Sequence, residues 1–270
     1  MKKVHVLFLL LSFLFMSCSG KKEIIISSSS SDINYSGRID LSNDEVASLS
    51  WPGSSIKINF EGESISALLS DETGDNYYNV IIDNDSLFVL RPENKKQYYL
   101  LASNLSKGPH TVEIFRRTDW GSGLTNFYGF KININAKVLA ISLPKKRKIE
   151  FYGDSITVGA AVEDTSGKDL NDTKYINNYA TYSAITARHF DANYHCIARS
   201  GIGVTVSWDP LIMPEIYDRL VPTDSTSKWD FSLYRPDIVV VNLFQNDSWL
   251  VHLSDHPEFI KRFKNKTPSE

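Results

Sequence analysis

At Pro144 the hydrophobic pattern of this chain changes period, and one layer type cannot satisfy both halves. Before that point the apolar residues alternate. "SSIKINF" (54–60) sets Ile56, Ile58 and Phe60 on one face and Lys57 and Asn59 on the other. "HTVEIF" (110–115) repeats the pattern through Val112 and Ile114, and "KININ" (131–135) through Ile132 and Ile134. Period two is the mark of a half-buried strand. The turn-rich stretches "EGES", "DNDS" (83–86) and "SKGP" (106–109) separate the runs. Short strands with regular breaks predict an all-β jelly-roll-like sandwich over residues 37–142.

After Pro144 strands and a helix alternate. "KIEFY" (148–152) reads as a strand, and "NYATYSAITARHF" (178–190) as a helix, with apolar or aromatic residues at 179, 182, 187 and 190 and Asn178 as N-cap. "YHCIA" (194–198) is a second short strand. "DIVVVNLF" (237–244) is an unbroken β-branched run, the pattern of a central parallel strand covered on both faces. Residues 143–270 are therefore expected to form a doubly wound α/β domain.

The N-terminus follows neither pattern. "MKKVHVLFLLLSFLFMSCSG" joins two lysines, an apolar run and small residues around Cys18, the layout of an export signal. Its end, "FMSC", resembles a bacterial lipobox, with Phe15 where leucine is usual. That resemblance implies lipidation of Cys18, a signal over 1–18, and an exported lipoprotein held to a membrane through its N-terminal lipid alone. The serine-rich stretch 19–36 reads as a flexible tether, with folded structure starting near Gly37. With Cys18 lipidated, Cys196 has no disulfide partner, and in "YHCIA" it reads as a buried, inert core thiol.

A net charge of −3 gives no reason to expect nucleic acid as a partner, and "PKKRK" (144–148) reads as a solvated connector. The histidines and cysteines lack metal-ligand spacing, so neither metal nor cofactor is expected.

Each α/β strand is followed by a polar or glycine cluster: "GDSITVG" after the first, "RSGIG" (199–203) after the second, "QND" (245–247) after the third. Parallel sheets place ligands beyond the carboxyl ends of their strands. Together the clusters offer a hydroxyl, backbone N–H groups and a side-chain amide, the groups that an acyl-transfer site needs. The three blocks resemble those of the SGNH (GDSL-type) hydrolases. "GRID" (37–40), "WPGSSI" (51–56) and "KGPHTVEIFRRT" (107–118) extend the resemblance to family 2 carbohydrate esterases, in which a jelly roll precedes the SGNH domain.

The resemblance implies a serine esterase that removes O-acetyl groups from acetylxylan- or glucomannan-type polysaccharides or oligosaccharides. It makes Ser155 the nucleophile and assigns the oxyanion hole to the N–H groups of Ser155 and Gly201 and the side chain of Asn246. Gly201 is preferred to Gly203 from the alignment of "ARSG". Asp154 is expected to pin the turn, and Asp247 to orient the loop carrying Asn246. The chain reads "FQND" where other members have Gly at 244 or Thr at 245.

A serine nucleophile also needs a base. The family supplies it from a late D-x-x-H, and no such motif occurs here. The chain is therefore expected to be a C-terminally incomplete esterase with an open sheet edge, or one in which His256 ("SDHP") stands in as base. The other functional class is a catalytically silent, carbohydrate-binding surface lipoprotein, in which Trp51, Trp120, Trp208 or Trp249 stacks on sugar rings.

Overall fold

The computed structural model describes residues 23–141, 145–168, 170 and 172–264. Its first part is all-β. In chain order the strands are β1 (Glu23–Ser27), β2 (Ile33–Ser36), β3 (Ile39–Asn43), β4 (Val46–Leu49), β5 (Ser55–Glu61) and β6 (Ile65–Asp71). They continue with β7 (Tyr78–Ile82), β8 (Ser86–Leu90), β9 (Gln97–Ala102), β10 (Pro109–Arg116), β11 (Thr125–Asn133) and β12 (Lys137–Leu139). One antiparallel sheet runs β3-β4-β11-β6-β9 with β1 also on β11, and the other β12-β5-β10-β7-β8 with β2 also on β5. Their inner faces meet in one core, with Leu49, Leu69, Phe127 and Phe130 from the first sheet and Ile58, Phe60, Val80 and Val112 from the second. Burying each such side chain contributes about 1.5–3 kcal/mol. Alternation located these strands correctly, except that β11 ends at Asn133 and leaves Ile134 exposed.

The expected tether over 19–36 is corrected for its described part. β1 pairs with β11 from Glu23 opposite Asn133 to Ser27 opposite Gly129, and β2 pairs with β5. Ile26 and Ile33 are buried in the sandwich core, and the serines between them form a turn in which Ser30 N–H donates to the Ser27 carbonyl (3.0 Å). The low-complexity serines hid two flanking apolar segments that supply paired strands. Residues 1–22, with the expected signal and Cys18, lie outside the described residues.

The α/β part holds β13 (Arg147–Gly153), α1 (Ser155–Val158), α2 (Tyr182–His189), β14 (Ala192–Ala198), α3 (Met213–Ile216), β15 (Ile238–Asn242), α4 (Gln245–Leu250) and α5 (Pro257–Phe263). The three strands are parallel in the order β14-β13-β15. Two expectations change here. Thr181, not Asn178, caps α2, by accepting the Ala184 N–H, and the helix buries Ser183, Ala184 and Ala187 while Tyr182 and Phe190 are exposed. The β-branched strand β15 is not central. It borders the sheet, with Val239 52% and Val241 62% exposed, because β13 takes the middle position. Among the described residues nothing pairs with the outer edge of β15, and its apolar side chains line an open cavity of about 600 Å³ with Tyr152, Met213, Tyr217 and Phe231.

The two parts share a core. Ile81 and Phe115 of the sandwich pack with Phe151, Val158 and Tyr194. The buried Arg38 guanidinium donates to the Tyr217 carbonyl (2.5 Å), the Arg219 carbonyl (3.1 Å), Glu150 (3.1 Å) and the Tyr152 hydroxyl (3.0 Å). Trp51 Nε1–H donates to the Leu220 carbonyl (2.8 Å). A buried guanidinium whose two terminal nitrogens make four hydrogen bonds across the layers fixes one relative placement of them, since any shift strands a charge in the interior. Of the "PKKRK" segment, residues 145–147 are exposed, as a solvated connector would be.

Candidate active site

β13 stops at Gly153 because Asp154 takes the cap position of α1. Its carboxylate accepts the Ile156 N–H (3.0 Å), so Ser155 becomes the first helical residue. The cap is thus Asp154, and the Ser155 hydroxyl is left free for other work. Burial pushes the Asp154 carboxyl up, against the pull of the Ile156 N–H. Ser155 is half-buried, and neither its hydroxyl nor its N–H has a hydrogen-bond partner among the described residues.

The loop after β14 sits beside it. Arg199 N–H donates to the Gly153 carbonyl (3.2 Å), which ties the second block to the first. Gly201 has φ +80, a conformation costly for residues with a Cβ, and its carbonyl accepts the Trp208 N–H (3.1 Å). Its own N–H has no partner among the described residues. Gly203 differs: its N–H donates to Ser207 Oγ (2.8 Å), and a Cβ there would lie 2.5 Å from Asp247 Oδ2. The uncommitted N–H is that of Gly201.

The third block begins at the carboxyl end of β15. Asn246 Nδ2 donates to the Ile202 carbonyl (2.9 Å), and its Oδ1 accepts Trp208 Nε1–H (3.0 Å). These two bonds fix which way the amide faces and leave one Nδ2 hydrogen unused. Asp247 does more than orient its own loop. Its carboxylate accepts the N–H groups of Val204 (2.9 Å), Thr205 (2.6 Å) and Val206 (3.2 Å) and the Thr205 hydroxyl (2.7 Å). Burial pushes this carboxyl up, but the Thr205 and neighbouring donors outweigh it and hold it below the usual range. In the amide orientation that satisfies its neighbours, Gln245 donates to Asp154 Oδ2 (2.7 Å) and the Leu243 carbonyl (3.0 Å). Every pair of blocks is therefore joined: first to second through Arg199, second to third through Asn246 and Asp247, first to third through Gln245.

None of the described histidines hydrogen-bonds Ser155. His256 caps α5, its Nδ1 accepting the Glu258 N–H (3.3 Å), and its ring stands edge-on to Trp208 at 5.4 Å. His195 is buried and stacked on Tyr234 at 3.5 Å, and desolvation lowers its pKa to about 3, so it is a neutral core ring. His110 lies in the sandwich, between Asp83 (2.7 Å) and the Ser106 carbonyl (2.9 Å). Cys196 is buried, and burial pushes its thiol up to about 12, the inert thiol expected. No cluster of His, Cys, Asp or Glu placed to hold a metal occurs among the described residues.

Trp51 and Trp120 are buried against each other, 6.4 Å between ring centroids, and cannot stack on a sugar. Trp208 and Trp249 are 42% and 70% exposed. Sequence reasoning missed the role of Trp208 towards Asn246 and the contact of Gln245 with Asp154. Neither has a periodic or motif signal, since each depends on loops meeting across the sheet edge.

Residues 35–141 match the family described as Carbohydrate esterase 2 N-terminal. The chain is 36% identical over 235 residues to the cellulase/esterase CelE of Acetivibrio thermocellus, covering 86% of this chain and 28% of that protein. It is 28% identical over 258 residues to an acetylxylan esterase / glucomannan deacetylase of Cellvibrio japonicus, covering 92% of this chain and 72% of that one. It thus spans little more than a quarter of the first relative's length and most of the second's. A family two carbohydrate esterase from Cellvibrio japonicus superposes with TM-score 0.78 at 25% identity, over 88% of this chain and 77% of that one. A family two carbohydrate esterase from Clostridium thermocellum, solved with cellohexaose, superposes with TM-score 0.75 at 34% identity, over 86% of this chain and 75% of that one. Sandwich, parallel sheet and sequence agree along one alignment, and the chain belongs to carbohydrate esterase family 2.

Proposed function

We propose that this chain is an SGNH-type serine esterase that removes O-acetyl groups from cell-wall polysaccharides of the acetylxylan or glucomannan type. The observation that carries the reading is an uncommitted hydroxyl and uncommitted donors on three loops that are bonded to one another. Ser155 Oγ, the N–H groups of Ser155 and Gly201, and one Asn246 Nδ2 hydrogen belong to three loops bonded to one another at one sheet edge. Ser155 Oγ attacks the acetyl carbonyl, its proton passes to water, and the carbonyl oxygen takes the negative charge. The three donors stabilise that oxyanion, each contributing a few kcal/mol when preorganised, about 2.7–4 by the usual scale. Collapse expels the sugar alkoxide, which takes a proton from water to become the free hydroxyl, and a second water then hydrolyses the acetyl-serine to acetate and the Ser155 hydroxyl.

No described histidine partners Ser155, so turnover by this 270-residue chain is expected to be residual, on the order of 10³–10⁴ over water and far below an intact triad. The similarity to an acetylxylan esterase / glucomannan deacetylase supports the substrate class. A lipid at Cys18 would hold the esterase at a membrane outside the cytoplasm. A second reading, saccharide binding without turnover, is favoured by the exposed Trp208 and Trp249 and by a Ser155 that no histidine contacts among the described residues. Assaying acetate release from acetylated xylo- and manno-oligosaccharides beside binding of deacetylated ones separates the two. Ser155-dependent release supports the esterase; binding with no release supports the second reading.

A further inference from the structure

The sandwich reaches into the site at one point. The loop after β10 carries Asp119, whose buried carboxylate Oδ2 accepts the N–H of Ser200 at 2.7 Å. Ser200 directly precedes Gly201, so this bond fixes one side of the peptide unit that presents the Gly201 N–H. The other side is fixed by Trp208 N–H on the Gly201 carbonyl. The Arg199 guanidinium lies 4.0 Å over the Trp120 ring and pairs with Asp209, so the residue before Ser200 is anchored to the same sandwich loop.

The sandwich loop is itself stiff. The buried Arg116 guanidinium donates to the carbonyls of Leu49 (2.9 Å), Thr118 (3.3 Å), Asp119 (3.1 Å) and Gly123 (2.8 Å). Asp119 Oδ1 also accepts the Gly121 N–H (3.3 Å). Carboxylate and backbone are thus both held by bonds from within the sandwich itself.

We propose that Asp119 is a positioning residue for the oxyanion hole: from the β domain it holds Ser200 so that the Gly201 N–H faces the Ser155 hydroxyl. The sandwich is then part of the catalytic apparatus. The inference rests on the esterase reading above, and the experiment separates the two.

The probe is phenylboronic acid. Ser155 Oγ gives a lone pair to boron, its proton passes to solvent, and a tetrahedral anionic boronate forms with an oxygen in the hole. No base on the enzyme is required. Affinity is measured by calorimetry for the wild type, Ser155→Ala, Asp119→Ala, Asp119→Asn and the sandwich-core control Val112→Ala. Hydrogen–deuterium exchange over residues 199–203 is measured on the same proteins.

Binding by the wild type, lost in Ser155→Ala, is expected. Asp119→Ala should weaken it about tenfold or more, up to the roughly 10²–10³ of one oxyanion donor lost outright, and speed exchange at Ser200. Asp119→Asn keeps an acceptor oxygen and should recover most of the affinity. Val112→Ala should bind as the wild type does. Wild-type affinity and unchanged exchange in Asp119→Ala overturn the positioning role, as does an equal loss in Val112→Ala. A wild type with no Ser155-dependent adduct overturns the esterase reading, and with it the catalytic part of this inference, whatever exchange reports.

Discussion

Replacing Asp247 by alanine should loosen the loop that carries Gly201 more than any other single change in the third block. The carboxylate accepts three consecutive backbone N–H groups and one hydroxyl. These do not weigh equally. Thr205 is exposed, so its two donors find water in the variant, while Val206 is buried and Val204 half-buried. Stranding one buried and one half-buried donor, at about 1–3 kcal/mol for the first and less for the second, gives a loss of about 3 kcal/mol. For a chain of this size that moves the midpoint by about 6–12 °C. Urea denaturation followed by tryptophan emission measures it, since Trp208 sits on the same loop. The effect should depend on pH. Asp247 is held below the usual carboxylate range, so its contribution is present above the unfolded value, near ~3.9, and lost as pH falls through the folded one. Wild type and variant should therefore converge in acid. A loss below about 0.5 kcal/mol, the size of an ordinary surface substitution, would refute the clamp.

The sandwich has its own titration. His110 is raised by the Ser106 carbonyl and further by Asp83, against desolvation, while Asp83 is lowered by Thr111 N–H and His110 despite some burial. Stability from His110 should be complete below about pH 6.5 and fade as pH rises through its folded value, and that from Asp83 should fade in acid; urea midpoints of wild type and His110→Gln across pH test both. Trp208→Phe keeps a ring but removes the N–H on Asn246, and should lower Ser155-dependent hydrolysis up to about tenfold, the upper end for one neutral hydrogen bond, without a comparable shift in midpoint; an unchanged rate would show that Asn246 needs no such support. Cys196, 2% exposed with its thiol pushed up to about 12, should resist iodoacetamide in the native protein and react on unfolding.

The strands and the three blocks were legible because each is local. Ile56, Ile58 and Phe60 alternate within seven residues, and Ser155, Gly201 and Asn246 each follow a recognisable apolar run. The family marks "GRID" and "WPGSSI" were visible too, but their purpose was not: Arg38 and Trp51 bond across to Tyr217, Arg219 and Leu220, some 170–180 residues away. Separation in sequence also hid Asp119, which meets Ser200 81 residues later. β15 misled for a different reason. A β-branched run reports that its side chains suit burial, not which neighbours are there, and β13 rather than β15 holds the centre. The serine run misled by composition, since Glu23–Ser27 and Ile33–Ser36 needed partners in β11 and β5 to become strands.

The central claim is that Ser155 is a nucleophile facing an oxyanion hole. The most direct test is p-nitrophenyl acetate hydrolysis by the 270-residue chain beside Ser155→Ala, with His256→Ala as the third protein. The account predicts a slow rate above the buffer background that disappears in Ser155→Ala and is unchanged in His256→Ala, whose ring caps α5. A rate that survives Ser155→Ala would contradict the esterase assignment, and a fast rate lost in His256→Ala would make that histidine the base.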